Sequence, residues 1–404
     1  MMNLSSTEHS LTKQAAAAPM RAQVEQWAAI NSGTGNLAGL AQVAALLADT
    51  FAPLPGVVRL VDPAPEDSVL PDGSTRSIQR GQHLHLCVRP TANRRILLTG
   101  HMDTVFPADH AFQSLREISP GVINGPGTAD MKGGIAVMLA ALKAFETSPD
   151  ASALGYDVLI NSDEETGSAS SAALIADLAR GKLAALTYEP AALPDGTLAG
   201  ARPGSGNFSF IVTGKSAHAG RNPEDGRNAL LAAAALALDL AALKAPGLSV
   251  NPAKIDGGGP NNVVPDHAVL RVNLRPATPE LEAQVKAAID RIVASIAAAH
   301  DVHIHTHGGF GRPPKPMDAK AEALFTLVKQ CGADLGQTIG WKASGGVCDG
   351  NNIAACGVPV VDTMGVRGGA IHSSDEYLIV DSLAERAMLS ALTLHRIATG
   401  AFTK

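Results

Sequence analysis

Residues 96–103 read ILLTGHMD, so a short run of strand-forming residues leads directly into Gly100, His101 and Asp103. An apolar run of this length is typical of a buried strand, and the side chains that follow it can bind metals or move protons. Three more strand-like runs lead toward such side chains: 158–160 before Asp163, Glu164 and Glu165; 186–188 before Glu189; and 358–361 ahead of His372. Because ligands of open α/β sheets bind beyond the carboxyl ends of the strands, these segments predict one shared crevice.

Helical stretches follow these strands, which predicts an α/β fold with a mixed, mostly parallel sheet flanked by helices. The stretch 133–142 is apolar on nearly every side and predicts a buried helix that anchors Asp130. Further helices are predicted over Asn228 to Leu243 and over Pro279 to Ala299, where the proline suits the first helical turn. A chain of 404 residues exceeds the usual size of one hydrophobic core, which favours two domains.

The pattern changes between 204 and 311 to strand, helix, strand, helix, strand, with alternating strands at 208–212 and 268–274. We expect this span, 204–311, to form a smaller α+β domain. It would be inserted between the two parts of a catalytic domain, 1–203 and 312–404.

Segments rich in Gly and Pro lie at both ends of this inserted span, at 202–204 and 308–314. Such segments suit the places where a chain crosses between domains. The sequence therefore predicts a hinge at each boundary.

The composition argues against several kinds of function. With 46% hydrophobic and 17% charged residues the chain can bury an ample core, and the 3% aromatic content means that the side chains of this core are mostly small and aliphatic. A net charge of −6, without clustered Lys and Arg, argues against a nucleic-acid partner. The most apolar runs, such as Ala229 to Leu243, are too short to span a bilayer, so no membrane association is expected.

The N-terminal residues 1–20 lack a basic start followed by a continuous apolar stretch, so no secretory signal is predicted and a cytoplasmic protein is expected. Cys87, Cys331, Cys348 and Cys356 are scattered without CxxC spacing, which favours reduced thiols over disulfides or a thiolate metal site. Cys348 lies in a Gly-rich segment and could be a nucleophile, although a small buried thiol is the commoner role.

The chain contains the side chains needed for a pair of metal ions. His101 and His372 offer imidazoles, Glu165 and Glu189 offer carboxylates, and Asp130 lies among small residues that would let one carboxylate approach two ions. Each residue alone has an ordinary alternative: a histidine at a strand end can be a surface residue, and an aspartate before a Gly-rich turn can be a helix cap.

Two spacings favour the metal interpretation. Asp103, two residues after His101, would point to the same side of an extended chain and could accept the second N–H of the imidazole. Glu164 and Glu165 are adjacent at a strand end, so their side chains point apart, and one could bind metal while the other faces the attacking water. The alternative for 163–165 is a solvated acidic loop.

Seven segments of the chain are informative together: GHMDTV at 100–105, GPGTADMKGG at 125–134, NSDEETGS at 161–168, YEP at 188–190, GKSAHAG at 214–220, PNNVVP at 260–265 and IHSSDEY at 371–377. They resemble motifs of the M20 family of co-catalytic zinc peptidases and deacylases, and within it the glutamate carboxypeptidase branch. Seven motifs in the family's order are far more specific than any single one. The resemblance covers almost the whole chain from about Val24 onward.

The resemblance implies a ligand set and a mechanism. It implies two Zn²⁺ ions, with Co²⁺ or Mn²⁺ as possible substitutes. His101 and Glu189 match the family's ligands of one ion, and His372 and Glu165 match those of the other. Asp130 matches the carboxylate that bridges the two ions. Glu164 matches the general base, Asp103 matches the residue behind the first histidine, and the 130–131 peptide bond is expected to be cis.

The inserted span resembles the family's lid domain, which implies a homodimer formed through that domain. His218 matches a histidine that reaches the neighbouring subunit's active site and stabilises the oxyanion, and Asn262 matches a residue that assists there. Arg275 and Arg312 match arginines near the substrate's α-carboxylate, and a planar guanidinium suits a carboxylate. Either arginine could equally be structural.

The chain departs from the glutamate-specific pattern of the family at three places. Thr197 stands near the position where a relative carries a lysine for the glutamate side chain, and the segments 203–207 and 345–351 also differ from the family's usual forms. These differences concern the side chain of the substrate and leave the metal chemistry unchanged.

The resulting hypothesis is a di-zinc hydrolase that cleaves an amide bond beside a free carboxylate and releases a C-terminal amino acid from a small N-acyl or peptidyl substrate. An alternative within enzymes is an N-acyl-amino-acid deacylase or dipeptidase with the same metals. A third hypothesis is a catalytically silent binding protein of the same fold, which predicts loss of a ligand or of the base.

Overall fold

The computed structural model describes residues 4–403, so residues 1–3 and 404 of the predicted catalytic domain lie outside the described part. The helices are α1 (Ser6–Ala16), α2 (Met20–Ala28), α3 (Leu37–Phe51), α4 (Gly133–Phe145), α5 (Ala172–Ala179), α6 (Ala229–Ala241), α7 (Pro279–His300), α8 (Ala319–Asp334), α9 (Asp349–Ala355) and α10 (Asp381–Ala398). The first nine strands are β1 (Val57–Val61), β2 (Glu66–Val69), β3 (Thr75–Ile78), β4 (His83–Val88), β5 (Arg95–His101), β6 (Arg116–Ser119), β7 (Val122–Asn124), β8 (Gly155–Asn161) and β9 (Ala184–Thr187). The others are β10 (Leu198–Ala199), β11 (Ser205–Thr213), β12 (Leu248–Gly257), β13 (His267–Pro276), β14 (His303–Arg312), β15 (Trp341–Lys342), β16 (Val360–Val361), β17 (Gly368–Gly369) and β18 (Tyr377–Ile379).

The central sheet has six strands in the order β1-β4-β8-β5-β9-β16. The pairs β8-β5, β5-β9 and β9-β16 are parallel, and the pairs β1-β4 and β4-β8 are antiparallel. This arrangement confirms the prediction of a mixed, mostly parallel sheet. Every residue of β8 and β9 is buried, as expected for parallel strands covered on both faces. The carboxyl ends of β5, β8 and β9 therefore open on the same edge of the sheet.

Helices cover both faces of this sheet. The helices α1 and α10 pack with α4 on one face, while α5 and α9 contact each other and cover the other face. The prediction of a buried helix after Asp130 is confirmed, because all but one residue of α4 are buried. A Cβ atom on Gly134 would lie 1.9 Å from the carbonyl oxygen of Tyr188, so only glycine lets α4 approach the end of β9 this closely.

The inserted span forms its own four-stranded antiparallel sheet in the order β12-β13-β11-β14. With α6 and α7 on one face, the chain order is βαββαβ, the ferredoxin-like arrangement. Phe210, Leu236, Leu270 and Ile289 belong to the separate hydrophobic core between this sheet and its helices.

The sequence-based pattern for this span was wrong in one respect, because it lacked the strand β12. That strand lies at the edge of its sheet, is mostly exposed and contains Pro252, so its sequence shows no apolar alternation. Edge strands tolerate proline and polar residues because one side of the strand needs no hydrogen-bond partner.

The predicted hinge at 308–314 also needs correction. The strand β14 continues through the glycines to Arg312, and Gly308 to Phe310 pair with β11 in register. Only Pro313 and Pro314 remain as connecting residues after the strand. The backbone of glycine can form the hydrogen bonds of a strand as other residues do. The Gly-rich composition of this segment therefore did not indicate that the strand continues through it.

A hairpin of the catalytic part, β2 and β3, contacts the inserted sheet on the face opposite its helices. Arg271 of β13 donates a hydrogen bond to the carbonyl of Val69 at 2.9 Å, and Nε2 of His267 lies 3.1 Å from the carbonyl of Pro71. The two units therefore touch away from the chain crossings as well.

Within residues 4–403, none of the helices is both long enough and apolar enough to cross a lipid bilayer.

Candidate metal centre

The carboxylate of Asp130 lies at the centre of the site, in the turn just before α4. Its Oδ1 lies 3.1 Å from Nε2 of His101, and its Oδ2 lies 3.3 Å from Nε2 of His372. His101 ends β5, whereas His372 lies between β17 and β18 near the end of the chain. Each carboxylate oxygen thus faces an imidazole from a different part of the sequence.

Each imidazole has a glutamate as its second neighbour. Oε2 of Glu189 lies 3.7 Å from Nε2 of His101, and Oε2 of Glu165 lies 3.2 Å from Nε2 of His372. The structure therefore brings all five predicted ligands together, as two histidine–glutamate sets that share Asp130.

The two histidines differ in their surroundings. The side chain of His101 is 1% exposed, whereas that of His372 is 55% exposed, so one imidazole is enclosed and the other is open to solvent. The backbone of His372 has φ +64°, in the left-handed region that residues other than glycine seldom adopt. Such a conformation at a site residue is consistent with a functional constraint on its side chain.

The predicted partner of His101, Asp103, lies directly behind it, but the hydrogen bond differs from the expected one. Nδ1 of His101 lies 3.0 Å from the backbone carbonyl of Asp103 and 3.4 Å from its carboxylate. A carbonyl only accepts, so Nδ1 carries the proton and Nε2 can present its lone pair to a metal.

The carboxylate of Asp103 has a different task. Its Oδ1 accepts the backbone N–H of Glu164, and its Oδ2 accepts the N–H of Glu165 and the hydroxyl of Thr34. Asp103 thereby fixes the end of β5 relative to the turn after β8. One buried aspartate therefore contacts a candidate ligand from each histidine–glutamate set.

The electrostatics of the site reflect several carboxylates that share a small buried volume. Burial and the charge of Asp130 raise the pKa of Glu165 to about 8, and burial raises the pKa of Glu189 to about 8 as well. Hydrogen bonds to Asp130 and Glu165 raise the pKa of His372 to about 11. Positive charge must therefore accumulate here, as protons or as metal ions.

The donor set fits a pair of divalent ions. Imidazole and carboxylate are the ligands that Zn²⁺ and related ions prefer, and Asp130 offers one oxygen to each set. Oε1 of Glu189 is buried and has no hydrogen-bond partner among residues 4–403, which leaves a full carboxylate oxygen for coordination.

Glu376 is a buried residue of the site that the sequence reasoning did not single out. Its Oε1 accepts the backbone N–H groups of Ala129 and Asp130, and its Oε2 accepts that of Gly127. Burial and the charge of Asp130 raise the pKa of Glu376 to about 7. Its place four residues after His372, inside a quoted motif, was the one available signal.

The peptide bond between Asp130 and Met131 is cis, as the resemblance implied.

Arg312 contacts Glu164 rather than an open subsite. Its Nη1 lies 2.6 Å from Oε1 of Glu164, and its Nη2 donates to the carbonyl of Glu164 at 2.8 Å and to the hydroxyl of Ser168 at 3.0 Å. The carboxylate of Asp349 lies 3.6 Å away. Arg312 is 5% exposed, so its guanidinium is already occupied by the protein.

The remaining predicted residues lie on the inserted unit. His218 and Asn262 are exposed neighbours, since the N–H of Ala219 donates to the carbonyl of Asn262. Arg275, at the end of β13, donates to Asn273 and to the carbonyl of Gly345 and is half-buried. Among residues 4–403, none of these three side chains has a hydrogen bond or ion pair to the five ligands.

Cys348 is buried, and burial raises the pKa of its thiol well above the usual value. The alternative role as a thiolate nucleophile is therefore disfavoured.

An α/β sheet whose strand ends gather two histidine–glutamate sets around one aspartate defines a protein with a candidate dinuclear metal site. Residues 97–396 match the pattern of peptidase family M20/M25/M40, and the chain belongs to this family. It is a metallopeptidase or amidohydrolase that acts on amide bonds, as the sequence predicted.

Two curated relatives illustrate the range of the family. Carboxypeptidase G2 of Pseudomonas sp. strain RS-16 is 30% identical over 322 residues, which cover 78% of this chain and 76% of that protein. A succinyl-diaminopimelate desuccinylase of Psychrobacter arcticus is 28% identical over 324 residues, covering 74% and 78%.

Solved structures share the fold. An aminopeptidase PepT from Bacillus cereus matches with a TM-score of 0.69 at 24% identity, covering 96% of this chain and 99% of that one. The YXEP protein of Bacillus subtilis, described as a dinuclear metal binding peptidase of the M20 family, matches with a TM-score of 0.65 at 15% identity, covering 96% and 99%.

The contacts of Glu376 predict that it supports metal binding from outside the ligand set. In Glu376→Gln, the amide NH₂ would face backbone donors, so the turn that presents Asp130 should loosen. We expect the affinity for Zn²⁺ to fall about 10–100-fold, as for other residues that orient ligands. The check is titration of the metal-free protein with Zn²⁺ against a competing chelator.

Asp375→Asn, at the exposed neighbouring position, is the matched control and should bind Zn²⁺ as the wild type does. Equal affinities for all three proteins would show that Glu376 has no such role.

Proposed function

We propose that this chain is a di-zinc hydrolase that cleaves an amide bond next to a free carboxylate and releases a C-terminal amino acid. The observation that carries the proposal is the shared Asp130, whose two oxygens lie 3.1 and 3.3 Å from two different histidines. When bound, the two ions would polarise the scissile carbonyl and acidify the attacking water.

Glu164 is the proposed general base. It neighbours the ligand Glu165, is 8% exposed, and is fixed at its backbone by Asp103 and Arg312. In this role its carboxylate accepts a proton from the water and later delivers it to the leaving amine. Arg312 is then proposed as a positioning residue that holds this carboxylate, and its contact with Glu164 favours this role over binding of the substrate's carboxylate.

Arg275 remains the candidate for the substrate's carboxylate. It is half-buried near the boundary between the two units, and its contacts are to an amide oxygen and a backbone carbonyl, with no acidic partner among the described residues. A guanidinium without a carboxylate partner can accept one from a ligand.

The inserted unit is proposed to form a homodimer through α6 and the edge strand β12. Leu231 and Leu238 are seven residues apart on one face of α6 and are 60% and 73% exposed, and Ile255 of β12 is 39% exposed. Apolar side chains that project this far indicate a protein partner. In such a dimer, His218 and Asn262 would complete the active site of the partner.

A deacylase or dipeptidase activity is the second candidate. It is supported by the desuccinylase relative and by Thr197, which stands near the position of a lysine in a glutamate-specific relative. The silent-protein hypothesis is disfavoured because all five ligands and Glu164 are present.

Metal removal with a substrate panel tests the function. The chelated protein should be inactive and should regain activity with about two equivalents of Zn²⁺. We expect kcat/KM to be highest for substrates with a free α-carboxylate. The ratio of kcat/KM for peptidyl glutamates to kcat/KM for N-acyl amino acids separates the two candidates. Full activity of the metal-free protein would rule out both.

Substitutions of the base and its partner test the catalytic roles. Glu164→Gln should keep both metal ions and lower kcat about 10²–10⁴-fold, the usual contribution of a general base. Arg312→Ala should lower kcat with little change in KM, because it positions Glu164. A large rise in KM with unchanged kcat would instead indicate that Arg312 binds the substrate.

Mixing two inactive variants tests whether His218 acts across the dimer. Neither His218→Ala nor Glu164→Gln alone should be active. After subunit exchange, mixed dimers contain one site with both residues intact, so about a quarter of wild-type activity should return. Absence of recovery, with mixed dimers demonstrated by mass spectrometry, would place His218 outside the partner's active site.

A further inference from the structure

Three histidines alternate along the strand β14, where residues 303–307 read HIHTH. His303, His305 and His307 pair with Thr213, Ile211 and Ser209 of β11. The intervening Ile304 and Thr306 pair with Val212 and Phe210, which are buried under the helices of the inserted unit. Because side chains alternate across a sheet, the three imidazoles share its other face.

These imidazoles are free to bind a ligand. The strand β14 is at the edge of its sheet, His303 and His305 are exposed, and His307 is half-buried. Within residues 4–403, none of the three rings makes a hydrogen bond or an ion pair. His267, two strands away, differs because its ring contacts the carbonyl of Pro71.

The spacing suits chelation. Residues two apart on a strand are about 6.6 Å apart, and the side chains of neighbouring histidines can lean together until two ring nitrogens lie at about 2.0–2.1 Å from one ion. Imidazole binds Cu²⁺, Ni²⁺ and Zn²⁺ well and has little affinity for Mg²⁺ or Ca²⁺, which take oxygen ligands. The central His305 can form such a pair with either neighbour.

We propose that His303, His305 and His307 form a surface site for a late divalent transition metal, separate from the Asp130 centre. Two imidazoles, one of them from His305, hold the ion, and water completes its coordination. The site is separate because Arg312, which contacts Glu164, lies five residues beyond His307, or about 16 Å along the strand.

Copper titration of the untagged, zinc-loaded enzyme tests this site. The probe is Cu²⁺, followed by electron paramagnetic resonance, with released Zn²⁺ measured in parallel. Wild type should bind one Cu²⁺ more than the triple variant His303→Asn/His305→Asn/His307→Asn, without releasing Zn²⁺ and with nitrogen couplings in the spectrum. The order of affinity should be Cu²⁺ above Ni²⁺ and Zn²⁺.

Two further variants make the result specific. His305→Asn alone removes the shared ligand and should lose the additional Cu²⁺, which keeps the test valid if the triple variant folds poorly. His9→Asn/His300→Asn removes two histidines elsewhere and should bind as the wild type does. Equal copper binding by wild type and His305→Asn, or Zn²⁺ release matching the Cu²⁺ bound, would overturn the proposal.

Discussion

The structure depends on one constraint, which is that several carboxylates and two imidazoles converge on a single buried aspartate. Asp130 presents one oxygen to His101 and the other to His372, and Glu165 and Glu189 lie beside those rings. Like charges at this spacing are unfavourable unless positive charge is supplied. Much of the surrounding fold can be understood as holding these groups together: the buried helix α4, the approach that Gly134 permits, and the carboxylate of Glu376 on the turn before α4.

Two residues outside the set of candidate ligands, Asp103 and Arg312, connect the parts of the site. Asp103 joins the end of β5 to the turn after β8, because its backbone carbonyl contacts His101 while its carboxylate accepts the backbone N–H groups of Glu164 and Glu165. Arg312 ends the last strand of the inserted unit and contacts the proposed base, so the position of that unit and the position of Glu164 are physically linked. A change in the position of the inserted unit would therefore reach the proposed base through a single buried side chain. The same strand carries the three alternating histidines, His303, His305 and His307, toward its other end.

Membership of peptidase family M20/M25/M40 accounts for the amide-bond chemistry, and the substrate is a separate matter. The relatives include a carboxypeptidase and a desuccinylase at similar identity, so family membership does not by itself determine the substrate. The proposed determinants of selectivity, Arg275 and the segment near Thr197, lie outside the candidate metal centre. Arg275 lies on the inserted unit, whereas Thr197 lies just before β10 in the catalytic part.

The sequence by itself determined the features that local chemistry encodes. A strand followed by a ligand is a local pattern, so β5, β8, β9, the helix after Asp130 and the set of five ligand candidates could all be predicted. Only the tertiary structure decided features that depend on distant partners. The strand β12 has no apolar alternation because it is an edge, Glu376 acts on backbone groups far away in the chain, and Arg312 is occupied by Glu164 rather than free. Hydrogen bonds between remote segments leave no periodic signal in a sequence, which is the physical reason for the difference.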